Sequence, residues 1–263
     1  MIRKLCTTDN DVVMPFLAKE PAKNLFIIGD IYNNGYECEY QECWGDFDAD
    51  GKLRAVLLRY YDHYIIAADE NHDTAGFSAI CRQDGKFVNI AGSADSVAIY
   101  QQLLDLAQPR RFFFAQQNEL TDFGTSDIVV ECTVPGDACV IAALLADIKE
   151  FPNPAGAERI KHSIETGEGR YFVVRKNNAI IANAATTAEN PYSAMIIAVA
   201  CAAEYRGKGY ATACMRKLCA TLHAEGKVPC LFYDNPAAGS IYHKLGFRNI
   251  GDWMLIGKKP LNS

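Results

Sequence analysis

Two stretches of this sequence combine residue types and spacings that can do chemistry. The first is Arg206-Gly207-Lys208-Gly209-Tyr210-Ala211. Glycines two apart let successive main-chain N–H groups turn toward one point. A helix that starts there adds partial positive charge, so the stretch suits a di- or triphosphate. Arg206 and Lys208 strengthen the same field. A Gly-x-Gly pair alone also begins helices that bind nothing. The second stretch is Asp234-Asn235-Pro236-Ala237-Ala238-Gly239-Ser240-Ile241-Tyr242-His243-Lys244-Leu245-Gly246-Phe247. A strand is expected to end at Asn235, and Tyr242 follows about two helical turns later, where its hydroxyl can point back toward that end of the sheet and give up a proton. A helix tyrosine is also an ordinary packing residue. The anion stretch upstream is what gives Tyr242 a chemical reading.

Other candidates are weaker. A P-loop needs Gly-x-x-x-x-Gly-Lys-Ser/Thr, and the dinucleotide fingerprint needs a third glycine where Thr212 stands, so neither fits. Asp46-Phe47-Asp48-Ala49-Asp50-Gly51 opens like a calcium loop, but position twelve is Leu57, and a hairpin turn is the better reading. His63, His72, His162, His223 and His243 are scattered without ligand spacing, and the ten cysteines contain no Cys-x-x-Cys pair, so no metal is expected. Cys201 lacks a base and reads as a small core or strand residue.

The elements that must position these residues follow from hydrophobic period and turn signals. From Ile128 onward they are a strand (128–134), helices near 137–149 and 155–165 separated by Pro152-Asn153-Pro154, and strands 171–175 and 179–187 joined at Asn177-Asn178. Then come a strand over 194–202, a helix over 207–225, a buried-type strand 228–233, a short helix from Pro236, and two closing strands near 248–250 and 253–257. This is an α/β mixed sheet, mostly antiparallel and flanked by helices. The first half repeats the order faintly. Asp50-Gly51 stands where the second half has Asn177-Asn178, Ile65-Ile66-Ala67 echoes Ile196-Ile197-Ala198, and Ile99-Tyr100 echoes Ile241-Tyr242. From Ile65 to Tyr100 the first half is 11 residues shorter than from Ile196 to Tyr242; the glycine-rich loop and helix length are what it lacks. Two copies of one fold are expected, at 1–124 and 125–263, the first without an anion loop and non-catalytic.

With both stretches in place, the second half resembles the GNAT N-acetyltransferases. Their acetyl-CoA loop, Arg/Gln-x-x-Gly-x-Gly/Ala, is matched by Arg206, Gly209 and Ala211, and their Asn-x-x-Ala-x-x-x-Tyr-x-x-x-Gly-Phe run by Asn235, Ala238, Tyr242, Gly246 and Phe247. Ala203 departs from the proline that many members carry ahead of the loop. The resemblance covers about 128–263 and implies two GNAT-like domains in tandem, the first degenerate. It implies acetyl-CoA as donor substrate, with Val199 and Cys201 pairing their backbone with pantetheine and the amides from Gly207 to Ala211, Lys208 and Tyr210 among them, on the pyrophosphate. Asn235 would contact the pantetheine arm. Tyr242 would protonate the departing thiolate, and a backbone N–H near Val199 or Ala200 would steady the oxyanion. No base is evident: Glu189 and Asp234 are the nearest carboxylates, and a water relay or an amine arriving neutral stands equally open. The acceptor would be the amine of a small molecule or peptide. A non-catalytic CoA or acyl-CoA sensor, or an acyl or aminoacyl transferase with another donor, are the alternatives.

Composition sets the outer limits. With 263 residues, 49% hydrophobic and 22% charged, the chain can bury one large or two ordinary cores. A net charge of -6 argues against nucleic acid as partner. No apolar run is long enough for a membrane helix, and Met1-Ile2-Arg3-Lys4 leads into polar residues, so a cytoplasmic monomer or homodimer with reduced thiols is expected.

Overall fold

The computed structural model describes residues 1–121, 127–151 and 153–259. The expected domain cut at 124/125 and Pro152 of the expected chain break lie outside the described residues. In chain order the elements are β1 (Ile2–Lys4), α1 (Asn10–Leu17), α2 (Leu25–Asn34), β2 (Glu37–Cys38), β3 (Gln41–Phe47), β4 (Leu53–Tyr60), β5 (His63–Ala68), α3 (Thr74–Gln83), β6 (Asn89–Ser93), α4 (Ala94–Val97), α5 (Tyr100–Leu103) and β7 (Arg110–Gln116). They continue with β8 (Glu131–Cys132), α6 (Ala138–Ala146), α7 (Ala157–Thr166), β9 (Tyr171–Lys176), β10 (Ala179–Thr187), β11 (Ser193–Cys201), α8 (Tyr210–Ala224), β12 (Val228–Tyr233), α9 (Pro236–Lys244) and β13 (Arg248–Gly257). The chain forms two compact units. One comprises Met1–Phe114, Phe232–Asp234 and Asn249–Ser263; the other comprises Ala115–Leu231 and Asn235–Arg248.

In the first unit the strands run β1-β3-β4-β5-β6-β13-β7, with β2 on β3. The hairpin at Asp48 to Lys52 forms as the Asp-Gly signal predicts: Gly51 has φ +78°, and Asp48 Oδ1 accepts from the amides of Asp50 and Lys52. The β5–β6 pair is parallel, from His63↔Asn89 to Ile66↔Gly92. The closing segment is one strand, not the two expected, because Gly251 passes through φ +147°, a value that glycine reaches without Cβ strain. Its partner is β6, from Trp253↔Ser93 to Gly257↔Asn89. Met254 and Ile256 are buried in the core with Leu57, Tyr64, Phe77 and Ile90. Trp253 packs with Phe26, Phe114 and Phe232 at ring-centroid distances of 5.7, 5.9 and 5.1 Å.

The helix that follows β5 starts on a carboxylate. Asp73 caps α3 by accepting from the Gly76 amide at 2.9 Å, and its own amide donates to buried Asp46 at 2.8 Å. A negative cap fills the place where an anion would meet helix amides. The start of α3 is therefore a poor place for an anion.

In the second unit the strand order is β12-β11-β10-β9-β8. The β9–β10 hairpin turns at Asn177 (φ 49°) and Asn178 (φ 64°), as asparagine's tolerance of positive φ predicts. Helices α6 and α7 contribute Ile141, Leu144, Leu145 and Ile160 to a core shared with Val173, Ile180, Ala185 and Ala200. Along α8 the buried residues Cys214, Met215, Leu218, Cys219 and Leu222 recur at helical spacing. The β11–β12 pair is parallel, from Ser193↔Val228 to Ile196↔Leu231. Each unit thus holds one four-residue parallel ladder, ending at Ile66 in one and at Ile196 in the other. The internal repeat is real in topology, but its register is one residue off the sequence echo, which aligned Ile65 with Ile196.

Because β13 completes the first unit's sheet, a fragment of residues 125–263 loses the partner of that strand. Trp253, Met254 and Ile256 would be stripped of their cores at roughly 2 kcal/mol each, comparable to the net stability of a domain, about 5–15 kcal/mol. Expressed alone, the fragment is expected to show no cooperative thermal transition by circular dichroism; a sharp, reversible melt would overturn this.

Candidate active site

The site is built on β11, whose ladder with β12 stops at Ile196 although the strand continues to Cys201. On the other side β10 pairs Asn183 with Ala200 and Ala185 with Ile197, so β11 carries one extra residue there. The surplus is absorbed at Ala198, whose φ of +53° lies in the left-handed region. For a residue with a Cβ this costs of order 1–3 kcal/mol and concentrates where geometry serves a site. The Ala198 carbonyl, turned out of the regular ladder, accepts from Asn183 Nδ2 at 2.8 Å. Asn183 is completely buried, and its Oδ1 has no hydrogen-bond partner among the described residues. Leaving such an atom unpaired costs about 1–3 kcal/mol.

Beyond β11 the chain makes one 3-10 turn at Ala203–Tyr205 and then passes Gly207 (φ +76°) and Gly209 (φ +83°). The helix expected from residue 207 therefore starts at Tyr210, since neither left-handed glycine can lie inside it. Gly209 is the N-cap and has no side chain to cap the first turn of α8, whose Ala211 amide faces the Cys201 thiol. A Cβ on Gly207 would meet nothing within 4 Å, so the space over the loop is open. Three exposed cations border it. Arg206 donates to the Cys201 carbonyl at 3.2 Å and pairs with Glu150 at 3.3 Å. Lys208 Nζ donates to the Glu204 carbonyl at 3.0 Å. Lys176, at the end of β9, donates to the Tyr210 hydroxyl at 3.5 Å and lies 5.7 Å from the Tyr205 ring centroid. Cys201 is half-buried; burial pushes its thiol pKa up. Positive charge, a glycine-led helix start and an open surface give this turn the means to receive an anion. Val199 and Cys201 lie on the segment of β11 that continues past its ladder with β12.

Helix α9 begins where β12 ends, and β12 is parallel to β11, so α8 and α9 start at the same edge of the sheet. Asn235 is the N-cap of α9, its Oδ1 accepting from the Ala237 amide at 2.9 Å, and Pro236 takes the first helical position. Tyr242 is half-buried and packs edge-on against Phe247 at 6.2 Å. Burial raises its pKa above the ordinary tyrosine value, which keeps the phenol protonated. The helix ends on Gly246 (φ +91°), with the Phe247 amide donating to the Tyr242 carbonyl and the Gly246 amide to the His243 carbonyl. A Cβ at 246 would collide with Thr121 Oγ1. The Gly246-Phe247 pair is thus a helix stop that locks the turn carrying Tyr242.

The two carboxylates named from sequence are both engaged. Glu189 sits at the opposite end of β11, ahead of Ser193, and accepts from Arg170 at 2.8 and 2.9 Å and from Lys227 at 2.9 Å. Arg170 and Lys227 also hold Glu225, at 2.5 and 3.2 Å. Burial pushes the Glu189 carboxyl up, but the donors from Arg170, Lys227 and Thr186 together outweigh it and hold the pKa below the usual range. Asp234 is half-exposed and pairs with Arg110 at 3.0 Å. Glu189 thus stands at the end of β11 away from its open part, while Asp234 precedes Asn235 at the end of β12 and is held by Arg110. Asn183 escaped the sequence reading; its only signal was one amide in the apolar run Ala179-Ile180-Ile181-Ala182-Asn183-Ala184-Ala185. Among the described residues no three His, Cys, Asp or Glu side chains cluster to hold a metal, all ten cysteines are free thiols, and no helix is long and apolar enough to cross a membrane.

Comparison with known proteins finds a family model over part of the chain and a shared fold along its length. Residues 161–256 match the family model described as GNAT acetyltransferase. No curated protein matches the sequence. Among solved structures, a GNAT-family acetyltransferase from Colwellia psychrerythraea is 15% identical, with 99% of this chain and 100% of that one covered and a TM-score of 0.56. A tandem GNAT protein from the clavulanic acid biosynthesis pathway is 12% identical, with coverage of 100% and 99% and a TM-score of 0.58. A Drosophila protein is 10% identical over 100% and 99%, with a TM-score of 0.71. At these identities the likeness is one of fold, and it extends over the whole chain.

The ion cluster around Glu189 predicts a stability effect with a definite sign. A carboxylate with a lowered pKa in the folded state stabilises at pH above its ordinary value, about 4.3, and that stabilisation is lost as pH falls through the lowered value. Glu189→Gln is expected to cost about 3 kcal/mol at neutral pH, because it leaves buried cations underpaired. The gap from the unaltered protein should close in acid. Denaturant melts from pH 3 to 7 would check this; a gap independent of pH would count against it.

Proposed function

We propose, on the premise that this chain is a GNAT acetyltransferase through its residues 161–256, that it transfers acetyl from acetyl-CoA directly to a primary amine. The observation that carries the reading is the glycine-led start of α8 at the end of β11, on the same sheet edge as the helix bearing Tyr242. The Gly207 to Ala211 amides, with Arg206, Lys208 and Tyr210 around them, would hold the diphosphate. The Val199 and Cys201 backbone would pair with the pantetheine arm, and Asn235 would touch it beside the helix it caps.

When bound, acetyl-CoA supplies an acetyl group activated as a thioester. The neutral amine nitrogen forms the new C–N bond, the C–S bond breaks, and Tyr242 gives its proton to the departing sulfur. The nitrogen's surplus proton goes to water, from which Tyr242 is recharged. A backbone N–H of the bulge steadies the negative charge on the carbonyl oxygen. We assign no base to the chain, since Glu189 and Asp234 are both held in ion pairs. That same observation favours a second reading, a CoA-binding sensor, which would bind CoA and turn over no amine.

Calorimetry with acetyl-CoA and thiol release across a panel of amines separate these readings; no CoA binding would end both. Tyr242→Phe is expected to lower kcat roughly 100-fold with little change in acetyl-CoA affinity, and equal losses in both would make Tyr242 a binding residue. With no protein base, the rising limb of the pH–rate profile should move with the pKa of each amine. The falling limb should lie above the ordinary tyrosine value, about 10. A rising limb fixed at one pH for all amines would reveal a base.

A further inference from the structure

Neither the pleat nor the core of β10 calls for an asparagine at position 183. We propose that Asn183 is a positioning residue for acyl transfer: by clamping the Ala198 carbonyl it aims the Val199 N–H at the oxygen of the donor thioester. The inference rests on the donor-site reading above.

The geometry runs through one peptide unit. No peptide among the described residues is cis, so the Ala198 carbonyl and the Val199 N–H point in opposite directions. Asn183, on β10, holds that carbonyl at 2.8 Å. The Val199 N–H is therefore turned away from β10, toward the edge of β11 that its ladder with β12 leaves after Ile196. The left-handed φ of Ala198 and the extra residue between Ile197 and Ala200 are what free this peptide from the ladder. Without a donor on the Ala198 oxygen, the peptide can rotate and the N–H loses its direction. An apolar residue at 183 would bury as well and leave no unpartnered Oδ1. What it could not supply is the clamp.

The test uses the full chain with [1-13C]acetyl-CoA and reads the infrared stretch of the bound thioester carbonyl, which needs no acceptor. In the unaltered protein the stretch is expected below its value in solution, because a directed N–H polarises the bond. Asn183→Leu and Asn183→Ser are expected to lose most of that shift while binding acetyl-CoA within about threefold. With any amine that is turned over, kcat should fall roughly 10- to 100-fold, less than deleting an oxyanion donor outright can cost, at unchanged KM for acetyl-CoA. Asn183→Asp adds a readout that a merely structural residue would not move. Its carboxylate repels the Ala198 carbonyl and its acid form donates to it, so shift and kcat should recover as pH falls, a titration absent from the Leu variant. If Asn183→Leu does not fold, the Ser and Asp variants give the same readings. A folded variant that binds acetyl-CoA and keeps the full shift overturns this inference alone. An unaltered protein that binds no acetyl-CoA overturns the donor-site reading and this inference with it.

Discussion

Everything at the proposed site depends on two parallel strands being held together at one end and released at the other. The holding is electrostatic. Arg170 lies just before β9, Glu189 before β11 and Lys227 before β12, and with Glu225 at the end of α8 they tie three strand starts to one point. Within this half-buried cluster opposite charges meet at 2.5 to 3.2 Å, and the Arg170–Glu189 contact is bidentate. From there β11 and β12 share only four residue pairs. Past Ile196 the backbone of β11 has an edge to offer, and the glycine-led turn into α8 follows directly. Glu189 is thus essential to the site's architecture without standing in it.

The sequence made the loop and the helix stop legible because both depend on residue types with few substitutes. Gly207 and Gly209 have φ values that other residues resist, Asn177 and Asn178 tolerate a turn that most side chains avoid, and Gly246 has no room for a Cβ. The bulge was not legible. Ala198 is an alanine in an apolar strand, and nothing in its side chain announces a left-handed backbone; the cause is the register with β10, which only the pairing reveals. Asn183 was invisible for the same reason, since its role is defined by a carbonyl fifteen positions away. Glu189 was misplaced because sequence proximity to β11 does not say which end of a strand a residue attends.

The repeat of strands, hairpins and one parallel pair was visible as faint echoes, and the structure repeats it in both units. What hydrophobic pattern cannot state is which sheet a strand joins. Trp253, Met254 and Ile256 would read the same beside either half; their neighbours Phe26, Phe114 and Ile90 settle the matter.

That placement of β13 has a consequence for how the chain comes into being. Ser93 must wait for Trp253, some 160 positions later, before its strand is covered. At synthesis rates of about 5–20 residues per second, the interval is roughly 8 to 30 s. During it β6 presents bare amides and carbonyls on one side, a template for any passing extended peptide. The nascent first half is therefore an open-edged intermediate by construction. Its safety rests on the speed with which the ribosome delivers the strand that seals it.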